Sequence, residues 1–289
     1  MNRYIALQKI IELGGFTKAA EALGFTQSSV SQMISSLEDE LGIKLLNRSR
    51  TGVKLTLEGA ELYPFIERCI FSYRAMLEKS NEIKGLETGI IRVGTVSSVT
   101  CHWMPRLISE FQKIYPNVQF TFHQGDYTSI TEWIKTGAVD FGFVNPLAAK
   151  DLKTVKIKTG RMLAVLPQNH KLAKSEVINL SDIAAEPYIL LEEGHYSEPM
   201  EAFCKAGLKS NIKYTIHDDY AIMTMVEAGL GVSILAELVL RRTNYNIVCV
   251  PTNPAIYRTL AIAYKDKDSL PIASKYFIEY IRKNADSLL

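Results

Sequence analysis

Residues 16–41 read FTKAAEALGFTQSSVSQMISSLEDEL, two short helical patterns joined at Gly24. Thr17 can cap the first helix, and Gly24 can end it because glycine readily adopts the left-handed conformation that helix ends need. Thr26 can cap the second helix, whose apolar residues recur at spacings of three and four, at Val30, Met33, Ile34, Leu37 and Leu41. This pattern predicts either an ordinary helical hairpin or a helix-turn-helix whose second helix enters the DNA major groove.

Two neighbouring features favour DNA binding over a plain hairpin. The first turns of the second helix carry short or flat polar side chains, and residues 41–59, LGIKLLNRSRTGVKLTLEG, follow as a two-stranded wing. We predict its strands at 44–46 and 53–57 and its turn at 49–52. Positive charge on the wing suits contact with phosphates. The side chains predicted to contact DNA are Thr17, Lys18, Thr26, Gln27, Ser28, Ser29, Ser31, Gln32, Arg48, Arg50 and Lys54.

The same segment resembles the winged helix-turn-helix of LysR-type transcriptional regulators. The resemblance is carried by Phe16, Thr17, Ala19, Ala20, Glu21, Leu23, Gln27, Ser31, Ile34, Leu37, Glu38, Leu41, Gly42, Leu45, Arg48, Leu55, Thr56 and Gly59. A match of this length and spacing is more specific than a bare motif.

The resemblance implies an α + α/β fold in three parts. These are a winged helix-turn-helix DNA-binding domain at 1–57, a dimerising linker helix at 58–86 and a two-lobed, periplasmic-binding-protein-like α/β effector domain at 87–289. It also implies a transcriptional regulator that binds double-stranded DNA and a small-molecule effector. RNA polymerase and further copies of the chain, in a homodimer or homotetramer, are the other implied partners.

Composition describes an ordinary soluble globular protein. Of the 289 residues, 47% are hydrophobic and 22% are charged, and the net charge is only +2. Residues 1–60 hold seven Lys and Arg against six Asp and Glu, a balance of +1. Because neither sum is strongly basic, DNA binding depends on where the charges lie rather than on their total.

Targeting and redox features point to the cytoplasm. No apolar run approaches the ~20 residues of a membrane span, and the amino terminus lacks a signal-peptide layout. Cys69, Cys101, Cys204 and Cys249 lie far apart, without paired metal spacing. We therefore predict a cytoplasmic protein with reduced thiols, no metal site and no membrane partner.

Residues 57–86 predict one long helix with a seam for dimerisation. The predicted seam, at heptad spacing, is Leu62, Ile66, Cys69, Tyr73, Met76 and Ile83. A second apolar stripe lies beside it, so the helix needs a partner surface. The alternative partner is the chain's own effector domain, but the resemblance implies that this helix pairs two subunits.

After a hinge at 85–89, short strands and helices alternate in βαβαβ order. That order predicts a mostly parallel sheet with helices on both faces, and a second similar series begins near 162. We predict crossovers near Gly160 and Lys265, with lobe I comprising 90–160 and 266–289 and lobe II comprising 161–265.

Hydroxyl groups at the end of the first strand of this series suggest an effector site. Ser97, Ser98 and Thr100 precede a helix predicted to begin near His102, and ligands of open α/β sheets bind at such strand ends. Free N–H groups at a helix start favour an anion, so the effector could carry a carboxylate. The alternative is that these hydroxyls only cap the helix.

The resemblance extends this site to a cleft between the lobes. It adds Thr128, Asn145, His195 and Tyr196 as lining residues, although His195 could equally be a solvated loop residue. Arg161 is the only arginine near the cleft loops. We therefore expect an acidic effector to depend on helix N-termini rather than on a guanidinium group.

The recognition helix departs from the family in being poor in cations. Many members carry Pro where Ser28 stands, Arg where Gln32 stands, and basic residues at Ser35 and Ser36. Fewer phosphate contacts would weaken non-specific binding and flatten its salt dependence.

No catalytic residue or cofactor is predicted, because no GxSxG, P-loop or HExxH pattern occurs. Other functional classes remain as alternatives. Cys101 lies near the predicted helix start, where a thiolate is stabilised, so the chain could be a thiol-based redox sensor. It could also bind a small molecule without DNA specificity, or be an enzyme that uses the cleft.

Overall fold

The computed structural model describes residues 1–49, 52–83, 89–241 and 244–288, and it gives the backbone alone at 48, 49, 78, 79 and 81–83. The predictions for the Arg48 and Ile83 side chains, for Arg50 and for most of the hinge at 85–89 therefore lie outside the described residues.

The amino-terminal unit contains the predicted helix-turn-helix and wing. Its elements are α1 (Asn2–Leu13), α2 (Phe16–Leu23), α3 (Gln27–Leu41), β1 (Leu46–Ser49), β2 (Gly52–Leu55) and α4 (Leu57–Ile83). Gly24 ends α2 at φ 70°, and Thr26 Oγ1 accepts a hydrogen bond from the Ser29 N–H at 3.2 Å. The predictions for Gly24 and Thr26 are therefore confirmed, whereas the prediction that Thr17 caps the first helix is wrong, because α2 begins at Phe16 with Gly15 at its N-cap.

The core of this unit includes the beginning of α4. Leu7, Ile10, Val30, Ile34 and Leu37 are fully buried, and Ile66 and Ile70 of α4 join the same cluster with Leu62 packed against it. Ile66 is only 6% exposed. Its assignment to the dimer seam is therefore wrong, because its side chain packs in the core of the amino-terminal unit.

The second compact unit, which begins between α4 and β3, contains the remaining strands and α-helices. In chain order they are β3 (Gly89–Thr95), α5 (Ser97–His102), α6 (Met104–Ile114), β4 (Val118–Gln124), α7 (Tyr127–Thr136), β5 (Phe141–Val144), β6 (Lys153–Pro167), β7 (Ile178–Asn179), α8 (Leu180–Ala185), β8 (Pro187–Leu191), α9 (Glu198–Lys205), β9 (Asn211–Ile216), α10 (Asp219–Glu227), β10 (Ser233–Ala236), β11 (Ile247–Tyr264) and α11 (Ile272–Lys283).

The main sheet is mixed rather than mostly parallel. Its order is β10-β6-β11-β5-β3-β4, with β7 beside β11, and β8 and β9 form a separate parallel pair. The strands β3, β4 and β5 are parallel, as predicted, but β11 runs antiparallel to both β5 and β6. The long strands β6 and β11 therefore connect the two lobes as an antiparallel ladder.

The lobes exchange within β11, earlier than predicted. Leu260, Ile262 and Ala263 pack in the lobe I core, together with Phe277 and Ile281 of α11. The boundary at 265 is therefore wrong, although the return of the last helix to lobe I is confirmed. No helix in the described part of the chain combines the length and the apolar character that crossing a membrane requires.

Candidate DNA-binding surface and effector cavity

The first turns of α3 present polar side chains to solvent. Gln27, Ser28 and Gln32 are exposed, and Val30 and Ile34 on the opposite face are fully buried. The Ser28 and Ser29 hydroxyls hydrogen-bond to Thr26 Oγ1 at 3.0 and 2.8 Å. These serines therefore help to cap the helix, and the two glutamines are the longest polar groups on this surface.

In the wing, β1 begins two residues later than the predicted strand at 44–46, and β2 begins one residue earlier and ends two residues earlier than the predicted strand at 53–57. Its strands pair antiparallel with Leu46 opposite Leu55 and Asn47 opposite Lys54, and the Lys54 side chain is exposed, as are Thr17 and Lys18 near the start of α2. The predicted strand at 44–46 is wrong for residues 44 and 45.

The delay has a cause that sequence reasoning missed, the carboxylate of Glu38. Its Oε1 accepts the N–H groups of Leu45 and Leu46 at 2.8 and 3.2 Å, and its Oε2 accepts Lys44 Nζ at 2.8 Å. Burial raises the pKa of Glu38, but these three hydrogen bonds outweigh it and hold the pKa below the usual range. Glu38 therefore clamps the start of the wing to α3 and pairs with Lys44.

The exposed face of α4 differs from the predicted seam. Phe65 and Met76 are 58% and 57% exposed, and Cys69 is also exposed, whereas Leu62 and Tyr73 are half-buried. The spacing of four and seven residues places these three exposed side chains along one side of the helix.

In the effector domain, the most connected buried group is Arg258 of β11. Its Nε donates to the Tyr127 hydroxyl at 2.6 Å, its Nη1 to Ser98 Oγ at 3.2 Å and its Nη2 to Glu193 Oε1 at 3.1 Å. Only 5% of Arg258 is exposed. The expectation that no guanidinium other than that of Arg161 would serve the cleft is therefore wrong.

Carboxylates from lobe II complete this cluster. Glu198, the first residue of α9, accepts hydrogen bonds from Tyr127 Oη at 3.1 Å and from Asn145 Nδ2 at 2.8 Å. Asp219, the first residue of α10, accepts the Ser97 hydroxyl. The helix starts of both lobes thus converge on one buried group of charges.

A cavity of about 200 Å³ opens beside this cluster. Among the residues that line it are Ser97, Asp126, Glu192, Glu193, Asp219 and Arg258. Burial raises the pKa of Glu193 to about 8, Arg258 opposes the rise, and Glu198 and Asp219 reinforce it. Burial also raises the pKa of Asp219, against the hydrogen bond from Ser97 and the charge of Arg258.

The predicted hydroxyl residues lie in helices rather than in the loops before them, because α5 begins at Ser97 and α7 at Tyr127. Ser97 lines the cavity, and Ser98 contacts Arg258. Thr100 Oγ1 instead donates to the Val96 carbonyl and to Thr95 Oγ1, both at 3.2 Å. Thr100 therefore neither lines the cavity nor caps α5, whose first turn has no side-chain cap hydrogen bond.

The other residues predicted to line the cleft do not lie together in the structure. Thr128 Oγ1 accepts the His195 N–H at 2.9 Å, and the His195 side chain is exposed, as its loop alternative predicted. Tyr196 lines a different cavity beside α9, and Arg161 lines a third, of about 380 Å³. Of these residues, none borders the 200 Å³ cavity directly.

Cys101 does not occupy the position that the redox alternative requires. It is the fifth residue of the six-residue helix α5, near the carboxyl end rather than at the helix start that the alternative assumed. Cys204 and Cys249 are exposed as well.

Comparison with known proteins assigns the chain to a family. Residues 1–60 match the bacterial regulatory helix-turn-helix proteins of the lysR family, and residues 84–286 match the LysR substrate binding domain. The HTH-type transcriptional regulator YvbU of Bacillus subtilis (strain 168) is 32% identical over 278 residues, which cover 95% of each chain.

Two solved structures share the fold. Full-length CbnR complexed with its target DNA matches 98% of both chains at a TM-score of 0.69 and 19% identity. The effector binding domain of QuiR in complex with shikimate matches 69% of this chain and 98% of its own, at a TM-score of 0.62 and 23% identity. With DNA-binding and effector-binding domains both matched, this chain belongs to the LysR family of transcriptional regulators, which are not enzymes.

Proposed function

We propose that this regulator recognises its operator with the first turns of α3 and responds to a small molecule bound beside Arg258. The observation that carries the first part is the exposed polar opening of α3 over a fully buried apolar face. A helix start of this kind is the part of a helix-turn-helix that contacts base edges.

Gln27 and Gln32 are the side chains best suited to read bases. A glutamine amide can donate to and accept from adenine at once, which gives about 1–3 kcal/mol of discrimination for each good contact. Helix α3 contains no Lys or Arg. Phosphate contacts therefore fall to Lys18 and Lys54, with Arg48 and Arg50 of the wing. Each phosphate that one of these cations neutralises contributes about 0.9 to the slope of log affinity against log salt.

We further propose a homodimer paired through α4, which would read an interrupted palindrome because a two-fold protein matches a two-fold site. The exposed Phe65 and Met76 support this pairing, and dimers could associate further into a tetramer. As a regulator of transcription, the protein would act in the cytoplasm and contact RNA polymerase.

The effector would bind in the 200 Å³ cavity, where groups from both lobes meet. The solved QuiR domain holds shikimate in the same fold. A ligand bound here would change the relative orientation of the lobes. It would regulate the protein by binding one assembled state more tightly than the other, which shifts the equilibrium between the two. No separate cofactor is required.

A substitution at Gln27 tests the DNA-binding assignment. Operators are first selected from random DNA with the wild-type protein, and the affinity of Gln27→Ala is then measured for the selected and for scrambled sequences. We expect the ratio of the two affinities to fall by about 5–150-fold, the equivalent of one bidentate contact. Dimerisation should not change.

The matched control is Gln168→Ala, the same substitution at an exposed position of the effector domain. It should keep the wild-type ratio. If Gln27→Ala also keeps that ratio, α3 does not read the sequence through Gln27 and the assignment is refuted.

A further inference from the structure

The charges around the effector cavity indicate which class of molecule enters it. Four carboxylates line the cavity, those of Asp126, Glu192, Glu193 and Asp219, against the single guanidinium of Arg258. With Glu193 protonated below its pKa of about 8 and the other three carboxylates ionised, three negative charges minus one positive charge leave −2. A net negative lining of this size opposes an anionic ligand and attracts a cation.

The hydrogen bonds of the lining groups sharpen this preference. Both oxygens of Asp126 are engaged by Ser129, at 2.8 and 3.0 Å, and Arg258 donates to Glu193. The Ser97 hydroxyl, the donor expected to hold a carboxylate ligand, already donates to Asp219. The protein's own carboxylate therefore occupies the donor that an anionic effector would need.

Asp219 retains one acceptor that nothing in the described chain satisfies. Its Oδ2 accepts from Ser97, but its Oδ1 is buried without a hydrogen-bond partner, and the residue is only 6% exposed. Leaving a buried acceptor unpaired costs about 1–3 kcal/mol, and more when it is charged. A ligand that donates a hydrogen bond to Oδ1 would remove this cost.

The size of the cavity and the arrangement of its side chains limit which hydrogen-bond donor the ligand can carry. Within the described residues, no group of three or more His, Cys, Asp or Glu side chains could hold a metal ion. The volume of about 200 Å³ is below the range of about 300–1,000 Å³ that drug-sized ligands occupy. A small organic cation with several N–H donors fits both limits.

We propose that the effector carries a primary ammonium group, which binds between Asp219 and Glu193. This inference rests on the proposed function, because it names the chemical class of the effector for the same cavity. The ammonium group supplies three N–H donors and one positive charge. Burial raises the pKa of Glu193 and of Asp219 despite the charge of Arg258, and a second cation bound beside them would lower both.

Three probes with the same four-carbon chain separate charge from shape. The full-length protein is titrated with n-butylammonium, n-butanol and butyrate at constant ionic strength, and the melting temperature and the dissociation constant are measured. We expect only n-butylammonium to raise the melting temperature, because only it binds the native state. Its affinity should rise between pH 6 and pH 8, as Glu193 loses its proton.

Substitutions of the lining carboxylates test whether n-butylammonium binds in this cavity. Asp219→Asn keeps the shape but removes the charge, and it should weaken n-butylammonium binding about tenfold or more. The matched control is Asp218→Asn, the same change at the exposed neighbouring residue that caps α10, and it should bind as the wild type does. If Asp219→Asn does not fold, Glu193→Gln provides a second variant with the same expected loss of affinity.

The outcomes separate this inference from the proposed function. If butyrate binds instead and Ser97→Ala abolishes its binding, the cavity is an effector site of the opposite charge preference, and only the inference is refuted. Binding of none of the three probes also refutes it. The same preparations are assayed for operator binding, so that a failure of DNA recognition is measured independently.

Discussion

Replacement of Glu193 by glutamine should make the effector domain less sensitive to pH. Glu193 is 6% exposed, and its neighbours are Arg258 of β11, Glu198 of α9 and Asp219 of α10. Burial raises its pKa to about 8, whereas a glutamate in the unfolded chain has a pKa of about 4.3. Between these two values the folded state binds the proton more strongly than the unfolded state does.

The sign and the size of the effect follow from that proton. The stabilising contribution of Glu193 is fully present below the unfolded pKa and is lost as the pH rises through about 8. With one extra proton bound in the folded state, the free energy of unfolding falls by about 1.4 kcal/mol for each pH unit. Between pH 5.5 and pH 7.5 the wild type should therefore lose about 3 kcal/mol relative to Glu193→Gln, which cannot titrate.

Urea unfolding at several pH values measures this difference. Tryptophan fluorescence reports on the effector domain alone, because both tryptophans of the chain, Trp103 and Trp133, lie in it. Glu192→Gln, at the half-buried neighbouring position, serves as the control and should follow the wild type. A stability difference between Glu193→Gln and the wild type that stays constant within about 0.5 kcal/mol over this range would refute the reasoning.

Two further predictions concern the DNA-binding unit. Glu38→Ala should destabilise this unit by about 2–3 kcal/mol at neutral pH, since it leaves the N–H groups of Leu45 and Leu46 unpaired. Calorimetry measures the loss of stability, and Asp39→Ala, at an exposed position, is the control. Because the pKa of Glu38 is lowered in the folded state, its contribution to stability is present above about pH 4.3 and is lost as the pH falls through the folded pKa. If the wild type stays more stable than Glu38→Ala in strong acid, the role of the Glu38 carboxylate in holding the wing is refuted. Met76→Glu should convert the proposed dimer to a 32.4 kDa monomer in sedimentation equilibrium. Ile114→Glu, at a similarly exposed apolar residue of α6, is the control and should leave the dimer intact. An unchanged mass for Met76→Glu would exclude the exposed face of α4 from the dimer interface.

The helix-turn-helix could be predicted because its determinants are local. Gly24 and Thr26 act on the backbone within four residues of themselves, and the apolar spacing of α3 depends on helix geometry alone. The residues around the cavity could be predicted only in part. The sequence indicated a helix start near Thr128 and placed the other near His102, five residues after α5 begins at Ser97. It could not show which charges from lobe II would meet these helix starts.

Arg258 was missed although the sequence contained a signal for it. In β11 the buried side chains Ile256 and Leu260 alternate with the more exposed Tyr257 and Thr259, and Arg258 has the same phase as the buried pair. Period-two alternation therefore places this arginine on the inner face of the strand. Its partners Ser98, Tyr127 and Glu193 come from three other segments, so its role could be established only from the fold.

Glu38, like Arg258, is a charged residue at a position whose spacing predicts burial, in this case on a helix. Comparing the two residues shows how a charge that stabilises the fold differs from a candidate ligand site. Glu38 follows Ile34 by four residues and so lies on the apolar face of α3, where it is buried. Its carboxylate is satisfied by one side chain and two backbone groups at the start of the wing, six to eight residues away. The cluster around Arg258 draws its groups from both lobes and still leaves Asp219 Oδ1 unpaired. A buried charge with every bond satisfied stabilises the fold, whereas a cluster with an unpaired acceptor beside a cavity retains capacity for a ligand. On this ground we assign Glu38 to the stability of the wing and Asp219 to effector binding.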